Sequence, residues 1–520
     1  MCGLIAKPSF CNSSIQILSK RGPDKSSKVT YGEYTFTFNR LSIMDISDNG
    51  NQPFEDDTWL VMCNGEIYNH KELRLLTNEY DYLSNSDCEV LLPMLNKYNI
   101  FDICIQLDGE FAFVAYNKKT KQIIAARDPM GIRPLFYGYC SNGKIAFASE
   151  IKAIMDDCEK VFPFPPGHYY DGKEIIPFLK LYDNNKPQHK DLNFIFENIN
   201  KLLTLAVEKR LSADAPIGFL LSGGLDSSLV CSIASKLLNK QIETFAIGLN
   251  KNPIDLKYAK QMSEYLGTKH HEVIFTKNDI YDNLRHVIWS IESWDITTIR
   301  ASIPMYLLCQ YIKINTKVKV VFTGEISDEL FGYKYTDFAP NALEFQKESE
   351  KRIKELYMYD VLRADRCISS NSLEARVPFS DSKFINFVMN IDPELKLNKY
   401  NMGKFLLRKA FDNGEYLPHD ILWRDKAAFS DAVGHDLVDT LIDMAESKYT
   451  DLMFEEKSKK FKNNPPLTKE SLMYREIFNE LFNNQDHVIS QYWLPNQNWD
   501  NCNLNDPSAR HLPNYGLSGV

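Results

Sequence analysis

A cysteine directly follows the initiator methionine in MCGLIAKPSF. A free thiol titrates near ~8.5 and a free α-amine at about 7.7–8.0. If Met1 is removed, Cys2 therefore carries a nucleophile and its own base in one residue and needs no histidine. The small side chain after Met1 suits that removal. On position alone, an incidental cysteine is the simpler account.

Two further stretches carry chemistry. LLSGGLDSS (220–228) is a glycine turn between an apolar run and a helical run. Glycines let several backbone N–H groups face one anion, and a helix N-terminus adds favourable field. Ser222, Ser227 and Ser228 add hydroxyl donors. Asp226 would repel a phosphate unless a magnesium ion lies between them. TGEISDELFG (323–332) places three carboxylates in one turn, an arrangement that calls for a cation. Asp328 is then expected to share the magnesium with Asp226, and Glu325 to orient or deprotonate an amine. Read singly, the first could be an ordinary glycine turn and the second a solvated acidic loop. No GxxxxGK[ST] is present, which disfavours a Walker-type phosphotransferase.

These residues need elements to hold them. Up to about residue 180 the chain is strand-rich: WLVMCNGEIYN (59–69), then hairpin patterns at 111–128 and 134–150, with helical spacing at 87–99. This pattern implies an α+β domain. After a polar, turn-rich stretch at 171–191 the rhythm changes. Strand 216–221, helix from Ser227, strand 243–248, helix 255–267, strand 271–275 and strand 318–324 alternate as in a parallel doubly wound sheet, with the polar turns at the strands' C-terminal ends. The chain beyond about 340 reads as helical, and from Asn483 as an extended tail.

The 520 residues imply two to four domains. The net charge of −9 argues against a nucleic-acid surface. The 11 cysteines form no CxxC pair, as for reduced thiols in a cytoplasmic protein. No apolar run is long enough for a membrane span, and there is no signal peptide.

SGGLDSS resembles the pyrophosphate loop of the N-type ATP pyrophosphatases. With ITTIRASIPMYL (296–307), TGEISDE, LRADR (362–366), LEARVPF (373–379) and WRDKAAFSDAVG (423–434), it resembles the asparagine synthetase family. SQYWLPNQNWDNCNLNDPSARHL is similar to that family's C-terminus, so a complete chain is expected. In the first half LSKRGPD (18–24), NRLSIMD (39–45), CNGEIYN (63–69), SDCE (86–89), DGEFAF (108–113) and RDPMGIRPLFYG (127–138) resemble, in order, the glutaminase domain of class II amidotransferases.

The resemblance implies an αββα four-layer N-terminal-nucleophile domain over 1–185, an ATP pyrophosphatase-type synthetase domain over 192–482 and an extended tail over 483–520. It implies that ATP, aspartate and glutamine give asparagine, AMP, pyrophosphate and glutamate through a β-aspartyl-AMP intermediate, with Mg2+ and with ammonia passed inside the protein. Cys2 would be the nucleophile. Arg40 would grip the glutamine carboxylate and Glu66 and Asp87 its ammonium, with Asn64 and the Gly65 N–H as oxyanion hole and Leu41, Ser42, Ile43 and Met44 completing the pocket. Leu220, Ser222, Gly223, Gly224, Asp226, Ser227, Ile247, Thr323 and Gly324 would contact ATP. Asp226 and Asp328 would hold the metal, Glu325 would assist the chemistry and Lys426 would neutralise pyrophosphate. Thr297, Arg300 and Arg363 are candidates for the aspartate side, unless the arginines pair with carboxylates at the domain junction. The loop around Arg21 is expected to close over glutamine. No nucleic acid or membrane partner is implied; a homodimer is the assembly allowed.

Departures from the family pattern bear mainly on the second site. Ile326 stands where the turn has glycine, and is strained if that backbone needs positive φ. Ala432 replaces a glycine, and Lys20 replaces a histidine before RGPD. Two alternatives stay open: a β-lactam synthetase-like cyclase, disfavoured by the intact glutamine pocket, and an amidotransferase-shaped protein with a dead second site.

Overall fold

In the computed structural model, which describes residues 1–11, 15–182, 188–249, 254–424 and 436–515, the first half builds two six-stranded antiparallel sheets. One runs, in spatial order, Cys158–Pro163, Phe136–Cys140, Ile145–Ala148, Gly3–Pro8, Tyr34–Arg40, Lys25–Tyr31. The other runs Ile175–Pro177, His168–Tyr170, Ile123–Arg127, Gly109–Asn117, Trp59–Ile67, Phe54–Glu55. Alternate residues of each strand point to opposite faces. Leu4, Phe36 and Phe38 of the first sheet meet Leu60, Met62, Ala112 and Val114 of the second in one buried cluster. Val61, Cys63, Phe111 and Phe113 face the other way, onto the helix Leu91–Lys97. Apolar residues on both faces explain why WLVMC reads as a continuous run rather than an alternation.

The outer face of the first sheet, through Ile5, Phe136, Ala146 and Ala148, joins a cluster with Leu284, Ile288, Ile299 and Ile303 of the second half. The helix Asp360–Ser369 lies against it: Arg366 donates to the Ser149 carbonyl at 2.9 Å, and its guanidinium stands 5.3 Å from the centre of the Phe136 ring. A helix of the second half of the chain thus packs on the paired sheets.

The second half contains a five-stranded parallel sheet in the order Lys269–Phe275, Glu243–Leu249, Ile217–Leu220, Val320–Phe322, Glu374–Arg376. From Ile217–Leu220 the chain first adds strands on one side, then crosses to the other. The C-terminal ends of Ile217–Leu220 and Val320–Phe322 therefore flank the switch point, where such sheets leave a crevice. The glycine turn and the acidic turn are the two segments that leave those ends. The segment after Asn483 has no strand or α-helix among its described residues, yet Trp499, Cys502, Ala509 and Leu512 are buried. It is packed wall rather than free tail. Among the described residues no helix is long and apolar enough to cross a membrane.

Candidate active sites

Cys2 precedes the strand Gly3–Pro8, whose pairing with Tyr34–Arg40 sets Gly3 opposite Asn39. That register brings the Cys2 thiol to 3.8 Å from the Leu41 carbonyl, to which it donates. The Cys2 N–H donates to Asn64 Oδ1 across 2.9 Å from the second sheet. With Oδ1 so used, the buried Asn64 Nδ2 has no hydrogen-bond partner. An orphaned buried amide donor on the residue that holds the Cys2 backbone is a group able to receive a developing negative charge. Gly65 is required by close approach: a Cβ there would lie 2.2 Å from the Glu110 carbonyl oxygen.

Two buried carboxylates follow. Burial, then the nearby Asp87, raises Glu66 well above the usual carboxylate range. Burial also raises Asp87, whose Oδ2 accepts from the Ile67 N–H at 2.6 Å. Glu66 pairs with Arg376 of the parallel sheet at 3.2 Å. Met1 is buried as well; its amine donates to the Leu373 carbonyl at 3.4 Å and lies 3.9 Å from Glu374. Burial lowers that amine to about 6 and pushes the Cys2 thiol up to about 11. While Met1 is present, Cys2 has no base of its own and its thiol is protonated.

Arg40 already has hydrogen-bond partners within the chain. Its two terminal nitrogens donate to Ser47 O and Asn51 Oδ1, and to Met44 O and Asp45 O. The guanidinium thus holds the 44–51 loop, and a bidentate grip on a carboxylate requires that the loop release donors. Arg40 and Ser42 line a cleft of about 350 Å³ with Asp24, Asn51 and Lys319, whereas Cys2, Asn64, Glu66 and Asp87 are not in its wall. Leu41 and Ile43 pack in the second half's core, while Met44 is half-buried against it. Arg21 is expected from the sequence to lie in a loop that closes over glutamine. It is buried, with Nε donating to the Cys2 carbonyl and the guanidinium paired to Glu150 and Asp365 at 2.9 Å each.

The second site is a cavity of about 530 Å³ at the switch point, within the ordinary range for ligand pockets. Its wall brings together Leu220, Ser222, Gly224, Asp226, Ser227, Ile247, Thr323, Gly324, Glu325 and Asp328. Gly223 is absent from it. Its φ of +72° and the approach of Tyr258, 2.4 Å from a built Cβ, show a glycine needed for packing on the helix Ile254–Leu266. The buried hydroxyls of Thr297 and Thr323, both in the wall, have no partner.

Glu325 Oε2 accepts from Arg363 at 2.8 Å, and Arg363 also reaches Asp360 at 2.8 Å. Burial keeps the Glu325 carboxyl above its ordinary value despite that partner. Glu329, the third carboxylate of the acidic turn, to which sequence reasoning gave no separate role, is pushed up to about 8 by burial and by Asp360. Lys404 was missed too: its ammonium sits 2.7 Å from both Asp226 and Asp328 and 3.0 Å from Ser327 Oγ. Nothing in NMGKFLLRKAF marks that lysine.

Arg300 lines the cavity, and its guanidinium is held by Glu470 and Asp506, the pairing with carboxylates that sequence reasoning set beside a substrate role. Ile326 has φ +81° at the start of the helix Ser327–Phe331, the backbone that favours glycine. Lys426 and Ala432 lie outside the described residues.

A family model described as "Asparagine synthase" matches residues 198–346 and 336–506, and one described as "Glutamine amidotransferase domain" matches residues 1–206. The chain is 41% identical to a protein of Acanthamoeba polyphaga mimivirus named "Probable asparagine synthetase (glutamine-hydrolyzing)", over 99% of this chain and 100% of that one. It is 40% identical to "Asparagine synthetase (glutamine-hydrolyzing)" of Zea mays, over 99% and 94%. It is 42% identical to "Asparagine synthetase (glutamine-hydrolyzing) 2" of Arabidopsis thaliana, over 93% and 88%.

Proposed function

From the premise that the chain belongs to the asparagine synthase family, with a glutamine amidotransferase domain at its N-terminus, we propose that it converts aspartate to asparagine with ATP and glutamine. The observation that carries this reading is the pair of sites in one chain. At the N-terminus Cys2 is bonded through its backbone N–H to Asn64, whose amide donor is orphaned, and both turns wall one cavity at the switch point. We take residues 1–185 as the glutaminase domain, 192–482 as the synthetase domain and 483–520 as an extended C-terminal tail, of which Trp493, Pro507, Ser508 and Ala509 line the cavity.

In the first reaction, removal of Met1 leaves the Cys2 nitrogen as an amine, beside Asn64 Oδ1. That amine takes the thiol proton, and the thiolate attacks the glutamine side-chain carbonyl. Asn64 Nδ2 and the Gly65 N–H hold the oxyanion, each such donor being worth roughly 10²–10³ in rate. Ammonia leaves with the proton from the amine, and water releases glutamate from the thioester. Glu66 and Asp87 receive the substrate ammonium. Its charge favours their ionised forms and offsets the burial that raises them.

In the second reaction the aspartate β-carboxylate attacks the α-phosphorus of ATP and pyrophosphate leaves. Ammonia then attacks the β-aspartyl-AMP carbonyl and AMP leaves. Thr323, Gly324 and the 222–227 turn bind the nucleotide, with Lys426 against the pyrophosphate. Glu325, oriented by Arg363, takes a proton from the attacking ammonia. The fit to Mg2+ rests on the donor set: two carboxylates that already embrace a cation, the Lys404 ammonium. Mg2+ usually takes one or two carboxylates and completes its shell with phosphates and water. Asp226 and Asp328 would hold it, and when bound it offsets the repulsion between those carboxylates and the pyrophosphate.

The test is a steady-state assay of the enzyme freed of Met1. Asparagine and pyrophosphate should form with either glutamine or ammonium, and Cys2→Ala should abolish only the glutamine-dependent rate. Glutamine hydrolysis with no aspartate-dependent pyrophosphate release would favour a dead second site, the outcome to which the Ile326 backbone would point.

A further inference from the structure

Arg376 ends the three-residue strand Glu374–Arg376 on one edge of the parallel sheet, and its side chain is fully buried. Its carbonyl accepts from the Thr323 N–H at 3.0 Å, which ties it to the turn walling the nucleotide cavity. Its guanidinium leaves that sheet for the other domain. Nε donates to Glu374 at 3.0 Å, one terminal nitrogen donates to the carbonyls of Arg210 and Ser212, and the other pairs with Glu66 at 3.2 Å.

Three carboxylates, those of Glu66, Asp87 and Glu374, act on one another in this buried region. A carboxylate cluster out of water is tolerated only with cations among its members. Among the described residues Arg376 is the side chain that pairs directly with two of them. The other nearby guanidinium, that of Arg133, pairs with Glu110 at 3.1 Å instead. The position of Glu66 in the first domain is therefore fixed by a cation built on the second.

We propose that Arg376 is a positioning residue for glutamine: it holds the Glu66 carboxylate turned to receive the substrate's α-ammonium, without touching the substrate itself. This rests on the reading above that Glu66 binds that ammonium. The consequence is specific. Loss of Arg376 weakens recognition of the α-amino group, and leaves the thiol, the oxyanion hole and the synthetase cavity in place.

The experiment compares glutamine with glutaramate, its analogue lacking the α-amino group, in the Met1-free wild type, Arg376→Met and Arg376→Lys. In Arg376→Met the KM for glutamine should rise about 10-fold or more, the effect of losing a charge-assisted contact, with kcat changed far less. The ratio of kcat/KM for glutamine over glutaramate should fall by a similar factor. Arg376→Lys should fall between, and Glu66→Gln should lose the same discrimination as Arg376→Met. Asparagine formation from ammonium should stay within about twofold of wild type. Equal losses for both amides would overturn the proposal, since a merely structural role predicts that. If Arg376→Met does not fold, Arg376→Lys with wild-type discrimination overturns it equally. A wild type that hydrolyses no glutamine sinks the functional reading instead, whatever the variants do.

Discussion

Lys404 holds Asp226: its ammonium lies 2.7 Å from Asp226 Oδ2 and equally close to Asp328 Oδ1. The lysine is almost wholly buried and its backbone adopts φ +59°. Both features fix the ammonium in the cleft between the two turns. The pair of carboxylates expected to share a metal thus already shares a cation that belongs to the chain, and a divalent ion must compete with it.

Removing that competitor should sharpen metal binding. In Lys404→Met, Mn2+ should bind the nucleotide-free protein about 10-fold more tightly than it binds wild type, because the Lys404 ammonium no longer competes for the two carboxylates. Electron paramagnetic resonance of free Mn2+ measures this. Identical titrations of the two proteins would show that the ammonium does not occupy the metal's place.

Asn64 is predicted to act on rate alone. Asn64→Ala removes the unpartnered Nδ2 and should lower kcat for glutamine hydrolysis by roughly 10²–10³. It also removes the acceptor of the Cys2 nitrogen, so the loss should lie toward the upper end. Synthesis from ammonium should be unchanged. A loss of less than about tenfold would exclude the amide as an oxyanion donor.

Lys396 makes a pH prediction. It is buried near Gln346, and burial lowers its ammonium to about 7 from 10.5. Below pH 7 the group is charged in both states, and the folded state carries the full burial penalty. Between about 7 and 10.5 the unfolded state still holds a proton that the folded state has lost, so stability rises with pH. Lys396→Met lacks this term. Its melting temperature should exceed that of wild type most below pH 7, and the difference should shrink steadily toward pH 10. Above pH 10 the variant should be the less stable, because Gln346 Oε1 has lost its donor. A difference independent of pH would contradict the assignment.

At Ile326 two effects oppose each other. The left-handed backbone of a β-branched residue costs about 1–3 kcal/mol, which glycine would relieve. The side chain, however, is 2% exposed in the core that includes Leu330 and Phe331. Emptying such a site costs about 2–5 kcal/mol. Burial outweighs strain, so Ile326→Gly should destabilise the protein by about 1–2 kcal/mol. An increase in melting temperature would mean that strain dominates.

Much of this was legible in the sequence because it is local. The hairpins of 111–128 and 134–150 form as Gly109–Asn117 with Ile123–Arg127 and Phe136–Cys140 with Ile145–Ala148. Each pairs neighbouring apolar runs across a polar turn. The glycine and acidic turns likewise sit at strand ends because alternating strand and helix leaves no other place for them. What escaped is what depends on distant pairing. Glu374–Arg376 is three residues long, too short for any periodicity, yet it carries the cation for Glu66. Lys404 looks like any helix-start lysine until folding sets it between two acidic turns. Arg40 has the right type in the right place, but the backbone carbonyls that engage it could not be read from residue types.

Arg300 marks the same limit and gives the last prediction. Its residue type, close to Thr297 on a helix that walls the cavity, suits an aspartate carboxylate. Folding instead brings Glu470 within 2.6 Å and Asp506 within 2.8 Å, on a helix and a tail far along the chain. Breaking a buried ion pair leaves uncompensated charge and costs about 3–5 kcal/mol, whereas an exposed pair contributes roughly 0–1. With Arg300 almost inaccessible and Asp506 at the rim, the lower part of the buried range applies. Arg300→Met should therefore destabilise the protein by about 3 kcal/mol. Loss of asparagine formation should follow the folded fraction. At a temperature where the variant is folded, KM for aspartate should be close to wild type. A melting temperature unchanged from wild type, together with a KM for aspartate raised tenfold, would return Arg300 to the substrate.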